Sequence, residues 1–303
     1  MIEPTGFTAK SIATSLGKMV YYTATATPWV EAENLKAEDQ ENSHQPTLVF
    51  LHGFGGGSSA YEWSKVYPAF AAEYRILAPD LIGWGRSAHP ERNYQVEDYI
   101  NTIIEFLEAT CTGATTVIAS SLVAAIAVRC AIDRPDLFKS LILTTPSGLS
   151  DFGSDYSRSV FAQIVSTPVI DKFLYSLAIA TKDGINNFLI DRQFAQASRV
   201  FPEIVEAYLA SAQQPNGEYA ALSFVRGDLC FDLALYVPQL TIPTGIIWGN
   251  KSQFTAPEIG KRLAALNPTA IKFFQVIADV GLTPQLELPA VTTGLIRKFL
   301  ATL

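Results

Sequence analysis

Apolar positions change period along this chain, and the changes outline an architecture. Short continuous apolar runs at Thr47–His52, Arg75–Leu81, Thr115–Ser120, Phe138–Thr145, Thr244–Trp248 and Ala270–Ile277 predict buried strands. Between them, apolar residues fall at helical spacing. Val96–Thr110 places Tyr99, Ile103, Phe106 and Leu107 on one face, and Leu122–Arg134 is alanine-rich and stopped by Pro135. Ser59–Glu73, Glu258–Leu266 and Pro289–Leu303 also read as helices. Two further strands, Thr8–Leu16 and Lys18–Ala26, meet at Gly17. Alternation of this kind predicts an α/β fold: a mostly parallel, doubly wound sheet with helices on both faces. The alternation fails between Leu149 and Tyr236, where the chain reads as helical and rich in aromatics such as Phe161, Phe188, Tyr208 and Phe224. A helical insertion thus follows the sixth of eight strands. The polar, acidic stretch Thr27–Pro46 predicts a surface loop.

Composition narrows the class. Of the 303 residues 49% are hydrophobic and 17% charged, which suits a large core rather than a disordered chain. The net charge is −7 with no basic stripe, so neither nucleic acid nor an anionic membrane is an expected partner. The longest apolar stretch, Val117–Val128, is interrupted by Ser120 and Ser121 and is too short for a bilayer. Met1–Lys10 lacks the basic-then-apolar order of a secretory leader. Cys111, Cys130 and Cys230 have neither metal-ligand nor paired spacing. The expectation is a soluble intracellular protein without metal or cofactor.

Candidate chemistry starts at His52-Gly53-Phe54-Gly55-Gly56-Gly57, after a strand. Glycines there suit two purposes. In a dinucleotide fold they admit a pyrophosphate at a helix N-terminus, and Gly53, Gly55 and Ser58 imitate that fingerprint, with Asp80 where a ribose-binding acid would sit. In an acyl-transfer site the loop supplies an oxyanion-hole N–H. The next segments favour the second. Pro79-Asp80-Leu81-Ile82-Gly83-Trp84-Gly85-Arg86-Ser87 follows a strand, and Val117-Ile118-Ala119-Ser120-Ser121-Leu122-Val123 runs strand, sharp turn, helix. A nucleophile elbow has that form, lifting a serine above the sheet. The other reading of Ser121 is a helix N-cap.

Taken in order, these motifs resemble the α/β-hydrolase superfamily, notably its cap-bearing esterases, C–C hydrolases and dehalogenases, and uncharacterised cyanobacterial or plastid members. The resemblance implies the α/β-hydrolase fold, with a core of residues 1–148 and 237–303 and a helical cap at 149–236. It puts the nucleophile at Ser121, the oxyanion N–H groups at Phe54 and Leu122, and Gly53, Trp84, His89 and Ser120 around the pocket. No cofactor is implied.

The sequence departs from the family at three places. The elbow reads Ala119-x-Ser121-x-Val123 instead of Gly-x-Ser-x-Gly, and the β-branched Val123 is expected to crowd the turn and relax or shift it. The acid position, after Trp248-Gly249, is Ser252. The base position, in the frame Gly281-Leu282-Thr283-Pro284-Gln285-Leu286-Glu287-Leu288-Pro289, is Leu282. Leucine takes no proton, and a serine nucleophile needs a base. The replacements on offer are few. His52 belongs to the oxyanion loop, His44 to the acidic loop, and His89 to the turn after Arg86. Asp279 is either a displaced base or a turn residue, and Asp151 is the nearest carboxylate to an alternative acid position. The expected function is a pseudo-hydrolase that binds a hydrophobic small molecule or a protein partner under its cap. One alternative is an active esterase, C–C hydrolase or lyase with His89 or Asp279 as base; another, of a different class, is a nicotinamide dehydrogenase. The expected location is the cytoplasm, or a plastid or cyanobacterial interior.

Overall fold

A computed structural model describes residues 3–30, 45–154 and 175–302. His44 and the aromatics Tyr156, Phe161 and Phe173 lie outside these.

Eight strands form one sheet in the order β1-β2-β4-β3-β5-β6-β7-β8. β1 (Phe7–Thr14) and β2 (Gly17–Ala24) pair antiparallel at one edge. β3 (Thr47–Leu51), β4 (Arg75–Pro79), β5 (Thr115–Ser120), β6 (Phe138–Thr144), β7 (Thr244–Gly249) and β8 (Ile271–Ile277) run parallel. Every residue of β5 and β7 is buried, because helices cover both faces there. The two faces carry separate apolar clusters, one built on Val49, Val117 and Leu141, the other on Phe50, Ile118 and Ile142. Alternate residues of the same strands supply the two sides.

Helix α1 (Val96–Thr110) matches its predicted span, and α2 (Ser121–Asp133) starts directly at the end of β5. The predicted helix at Ser59–Glu73 is corrected to two 3₁₀ turns, Ala60–Trp63 and Tyr67–Phe70. Pro68 lacks the N–H that would continue an α-helix, and the Ser64 N–H bonds the Tyr61 carbonyl instead. Between β6 and β7 lie α3 (Lys182–Phe188), α4 (Pro202–Ala212) and α5 (Gly217–Arg226). α6 (Pro257–Ala265) separates β7 from β8; α7 (Pro284–Glu287) and α8 (Pro289–Leu300) close the chain. No described helix is long and apolar enough to cross a membrane.

Candidate active site

The loops that follow the parallel strands meet at the C-terminal edge of the sheet, where ligands bind in open α/β folds. Ser121, the first residue of α2, has φ 57°. A non-glycine residue in the left-handed region costs roughly 1–2 kcal/mol, so the surrounding packing must impose it. Val123 is buried in the core below and does not relax the turn, contrary to the expectation from its branching. An N-cap serine has extended backbone; here that conformation belongs to Ser120. Ser121→Gly is therefore expected to be more stable than Ser121→Ala by about 1 kcal/mol in urea unfolding, because only glycine adopts the turn without strain. Equal stabilities would place the strain elsewhere.

Ser121 is 7% exposed, and its hydroxyl bonds no described residue. The N–H groups of Phe54 and Leu122 likewise have no partner among the described residues. The Ser120 hydroxyl is committed: it accepts from Gln285 Nε2 at 3.1 Å. Phe54 and Trp84 are buried and stacked at 5.1 Å, and the Trp84 indole N–H donates to Tyr99 Oη at 3.0 Å. Ser121 does not line the cavity beside Leu143, Val237 and Ile246 or the one beside Thr47, Lys139 and Leu300.

The turns carrying Ser252 and Leu282, the expected acid and base positions, are tied together through their backbones. Asn250 N–H bonds the Ile277 carbonyl at 3.0 Å and Lys251 N–H the Val280 carbonyl at 2.9 Å. A Cβ on Gly249 would lie 1.9 Å from the Gly281 oxygen, so glycine alone permits this approach. The Ser252 hydroxyl is buried with no hydrogen-bond partner among the described residues. Leu282 is 4% exposed, and its N–H bonds the Gln193 carbonyl at 2.8 Å. Glu287 holds this loop: it accepts from Gly281 N–H at 2.5 Å, Ala195 N–H at 3.0 Å and Arg199 Nη1 at 3.1 Å.

None of the candidate replacement bases in the described residues reaches Ser121 by a hydrogen bond. His52 Nε2 accepts from the Leu81 N–H at 3.0 Å, so its Nδ1–H donates to the Gly53 carbonyl at 2.7 Å. Its lone pair is used, and burial drops its pKa to about 4. His89 Nε2 donates to the Gly85 carbonyl at 3.1 Å, which leaves Nδ1 buried and unpartnered in that turn. Asp279 is exposed with φ 61°, and its carbonyl accepts from Arg199; it is a turn residue. Asp151 accepts from Ser147 Oγ at 2.6 Å and from the N–H groups of Gly148 and Leu233, tying β6 to residue 233. The dinucleotide reading is corrected as well. Turns, not an α-helix, follow Gly55, and the Asp80 carboxylate already accepts from Ala60 N–H, Arg86 N–H and Tyr22 Oη. No cluster of three or more His, Cys, Asp or Glu side chains among the described residues is arranged to hold a metal ion.

One polar residue here has no place in the sequence reading. Glu62, in the first 3₁₀ turn, is fully buried. Oε2 accepts from the Gly53 N–H at 2.9 Å and Oε1 from Tyr208 Oη of α4 at 3.0 Å. Tyr208 in turn accepts from Gln193 Nε2 at 3.1 Å. The available signal was a lone carboxylate between Tyr61 and Trp63, in a stretch otherwise apolar at its helical positions.

Comparison with known proteins gives this arrangement a context. The alpha/beta hydrolase fold family model matches residues 46–289. An uncharacterized hydrolase of Bacillus subtilis, YugF, is 27% identical over 248 residues, covering 80% of this chain and 86% of its own. The 2-hydroxy-6-oxo-6-(2'-aminophenyl)hexa-2,4-dienoic acid hydrolase of Metapseudomonas resinovorans is 22% identical over 255 residues, covering 83% and 80%. Among solved structures, the epoxide hydrolase CorEH superposes with a TM-score of 0.76 at 20% identity, covering 97% of this chain and 99% of that one.

Proposed function

The chain belongs to the alpha/beta hydrolase fold family, and on that premise we propose that it is an impaired hydrolase, whose serine–histidine–acid route is lost and whose elbow is kept as a binding site for a small apolar ligand bearing a carbonyl oxygen. The observation that carries this reading is Leu282, held at the base position by an intact backbone frame. No imidazole or carboxylate hydrogen-bonds Ser121 among the described residues, and both described histidines are tied to neighbouring carbonyls. Loss of general-base assistance alone removes ~10²–10⁴-fold in rate. The ligand class rests on the donors that remain. The Ser121 hydroxyl and the Phe54 and Leu122 N–H groups are unpartnered among the described residues and suit one carbonyl oxygen.

Residues 149–236 serve in this reading as a cap over a core of 1–148 and 237–303. Contacts to the loops at the sheet edge support it. Ser211 Oγ donates to the Ser58 carbonyl and accepts from Gly85 N–H, each at 3.0 Å.

A fluorophosphonate probe tests the proposal. Ser121 is expected to label slowly, remaining far from complete in the time a triad-bearing member of the family takes to react fully. Complete labelling on that timescale would defeat it.

A further inference from the structure

Gly53 lies against both Glu62 and Ser121. A Cβ on Gly53 would lie 3.3 Å from the Ser121 Cβ and 3.5 Å from Glu62 Oε2. Tyr208 Oη holds Oε1 of the carboxylate, while Oε2 accepts from the Gly53 N–H. A carboxylate oxygen has lone pairs beyond the one this N–H uses. No cation pairs with Glu62 among the described residues, so its charge is not neutralised by a salt bridge. Ser58 Oγ is close enough to the same carboxyl group to draw its pKa down, but it makes no hydrogen bond among the described residues.

We propose that Glu62 takes the proton of Ser121 in place of the missing imidazole and supports a slow residual acyl transfer. The proposal rests on the reading that the usual triad is lost. As Ser121 Oγ attacks the carbonyl carbon of an ester, its proton passes to Glu62 Oε2, and the tetrahedral oxygen is held by the Phe54 and Leu122 N–H groups. The bond to the leaving alcohol then breaks, and that oxygen takes the proton from Glu62. Water repeats the sequence on the acyl-serine: its proton goes to Glu62, the acyl–Oγ bond breaks, and Glu62 returns the proton to Oγ. No oxidant, metal or cofactor enters the balance.

A carboxylate base imposes a pH signature. Burial pushes the Glu62 carboxyl above the ordinary glutamate value, while Ser58, the Gly53 N–H, Tyr208 and Gln285 pull it down. Tyr208 is the one titratable side chain bonded to it among the described residues, and burial raises that phenol far out of the working range. Tyr61, next in the turn, gives its hydroxyl to Glu203 and not to Glu62. Reactivity should therefore rise with pH as a single acid ionises.

The test uses the full chain, a fluorophosphonate probe and an activated aryl ester, from acid to mildly alkaline pH. Wild type is expected to react slowly but above Ser121→Ala, with one ascending limb. Glu62→Gln is expected to lose this reactivity by ~10²-fold or more. Tyr208→Phe removes a donor to the ionised form, so it should move the limb to higher pH with its plateau largely kept. If Glu62→Gln does not fold, Tyr208→Phe decides, and an unmoved limb overturns the proposal. It is also overturned if Glu62→Gln keeps the rate and profile of wild type, or if wild type never exceeds Ser121→Ala; that second result leaves the impaired-hydrolase reading standing. Fast, complete reaction of wild type that ignores Glu62→Gln would sink both.

Discussion

Replacing Leu282 by histidine and Ser252 by aspartate together is expected to raise Ser121-dependent ester turnover at neutral pH by ~10²–10⁴-fold, the range that general-base assistance supplies. The expectation follows from what the two turns retain. The strand ends carrying positions 252 and 282 remain linked through the Lys251 and Asn250 N–H groups. Asp279 N–H also bonds Asn250 Oδ1 at 2.8 Å. The Leu282 side chain is buried at the base position proposed above, and the Ser252 hydroxyl is already sequestered from water. Each single replacement should do much less. Histidine alone lacks an orienting acid, and aspartate alone buries an unpaired charge. Steady-state turnover of an aryl ester by the parent and the three variants, with Ser121→Ala as background, checks this. Restored turnover should also be indifferent to Glu62→Gln, since imidazole then takes the proton. A double variant no faster than the parent, yet equally stable, would show that these turns no longer aim at the elbow.

The largest stability effect is expected at Asp80. Its buried carboxylate satisfies Ala60 N–H and Arg86 N–H at 2.8 Å each and Tyr22 Oη at 3.1 Å. A Cβ on Gly85 would sit 2.2 Å from the Asp80 carboxyl carbon, so the turn is wrapped tightly around the group. Asp80→Ala strands three donors, and at roughly 1–3 kcal/mol for each buried unsatisfied group the loss should be on the order of 4 kcal/mol. Asp80 also gives stability a pH dependence. Burial pushes its pKa from 3.8 to about 6, so the folded state binds the proton more tightly than the unfolded chain. Stability from this group is full below about pH 4 and is lost as pH rises through about 6, by about 3 kcal/mol in all. Chemical denaturation at several pH values should show that slope in wild type and a shallower one in Asp80→Asn. An unchanged slope would assign the proton to another group.

The sequence exposed some parts of this molecule and hid others, for physical reasons. Strands of the parallel sheet were legible because burial on both faces turns them into unbroken apolar runs, as in Val117–Ala119 and Ile246–Trp248. Ser59–Glu73 reads as a helix because 3₁₀ turns and α-helices place apolar residues at overlapping intervals, and Pro68 is the residue that breaks it. The departure proposed at Leu282 stands out in the sequence because Gly281, Pro284, Glu287 and Pro289 frame it. The elbow was under-read: Val123 argued for a relaxed turn, yet packing against the core keeps Ser121 at φ 57°. Glu62 stayed hidden because a lone carboxylate reads as surface. Its burial depends on Tyr208, 146 residues further on, a contact that local pattern does not carry.

Glu287 joins residue 281 to residues 195 and 199, and the Leu282 N–H reaches residue 193 beside it. Moving that stretch away from residues 281–287 would break several bonds. On the binding reading proposed above, a ligand held on this flank would leave past a clasp of several ties rather than a single one.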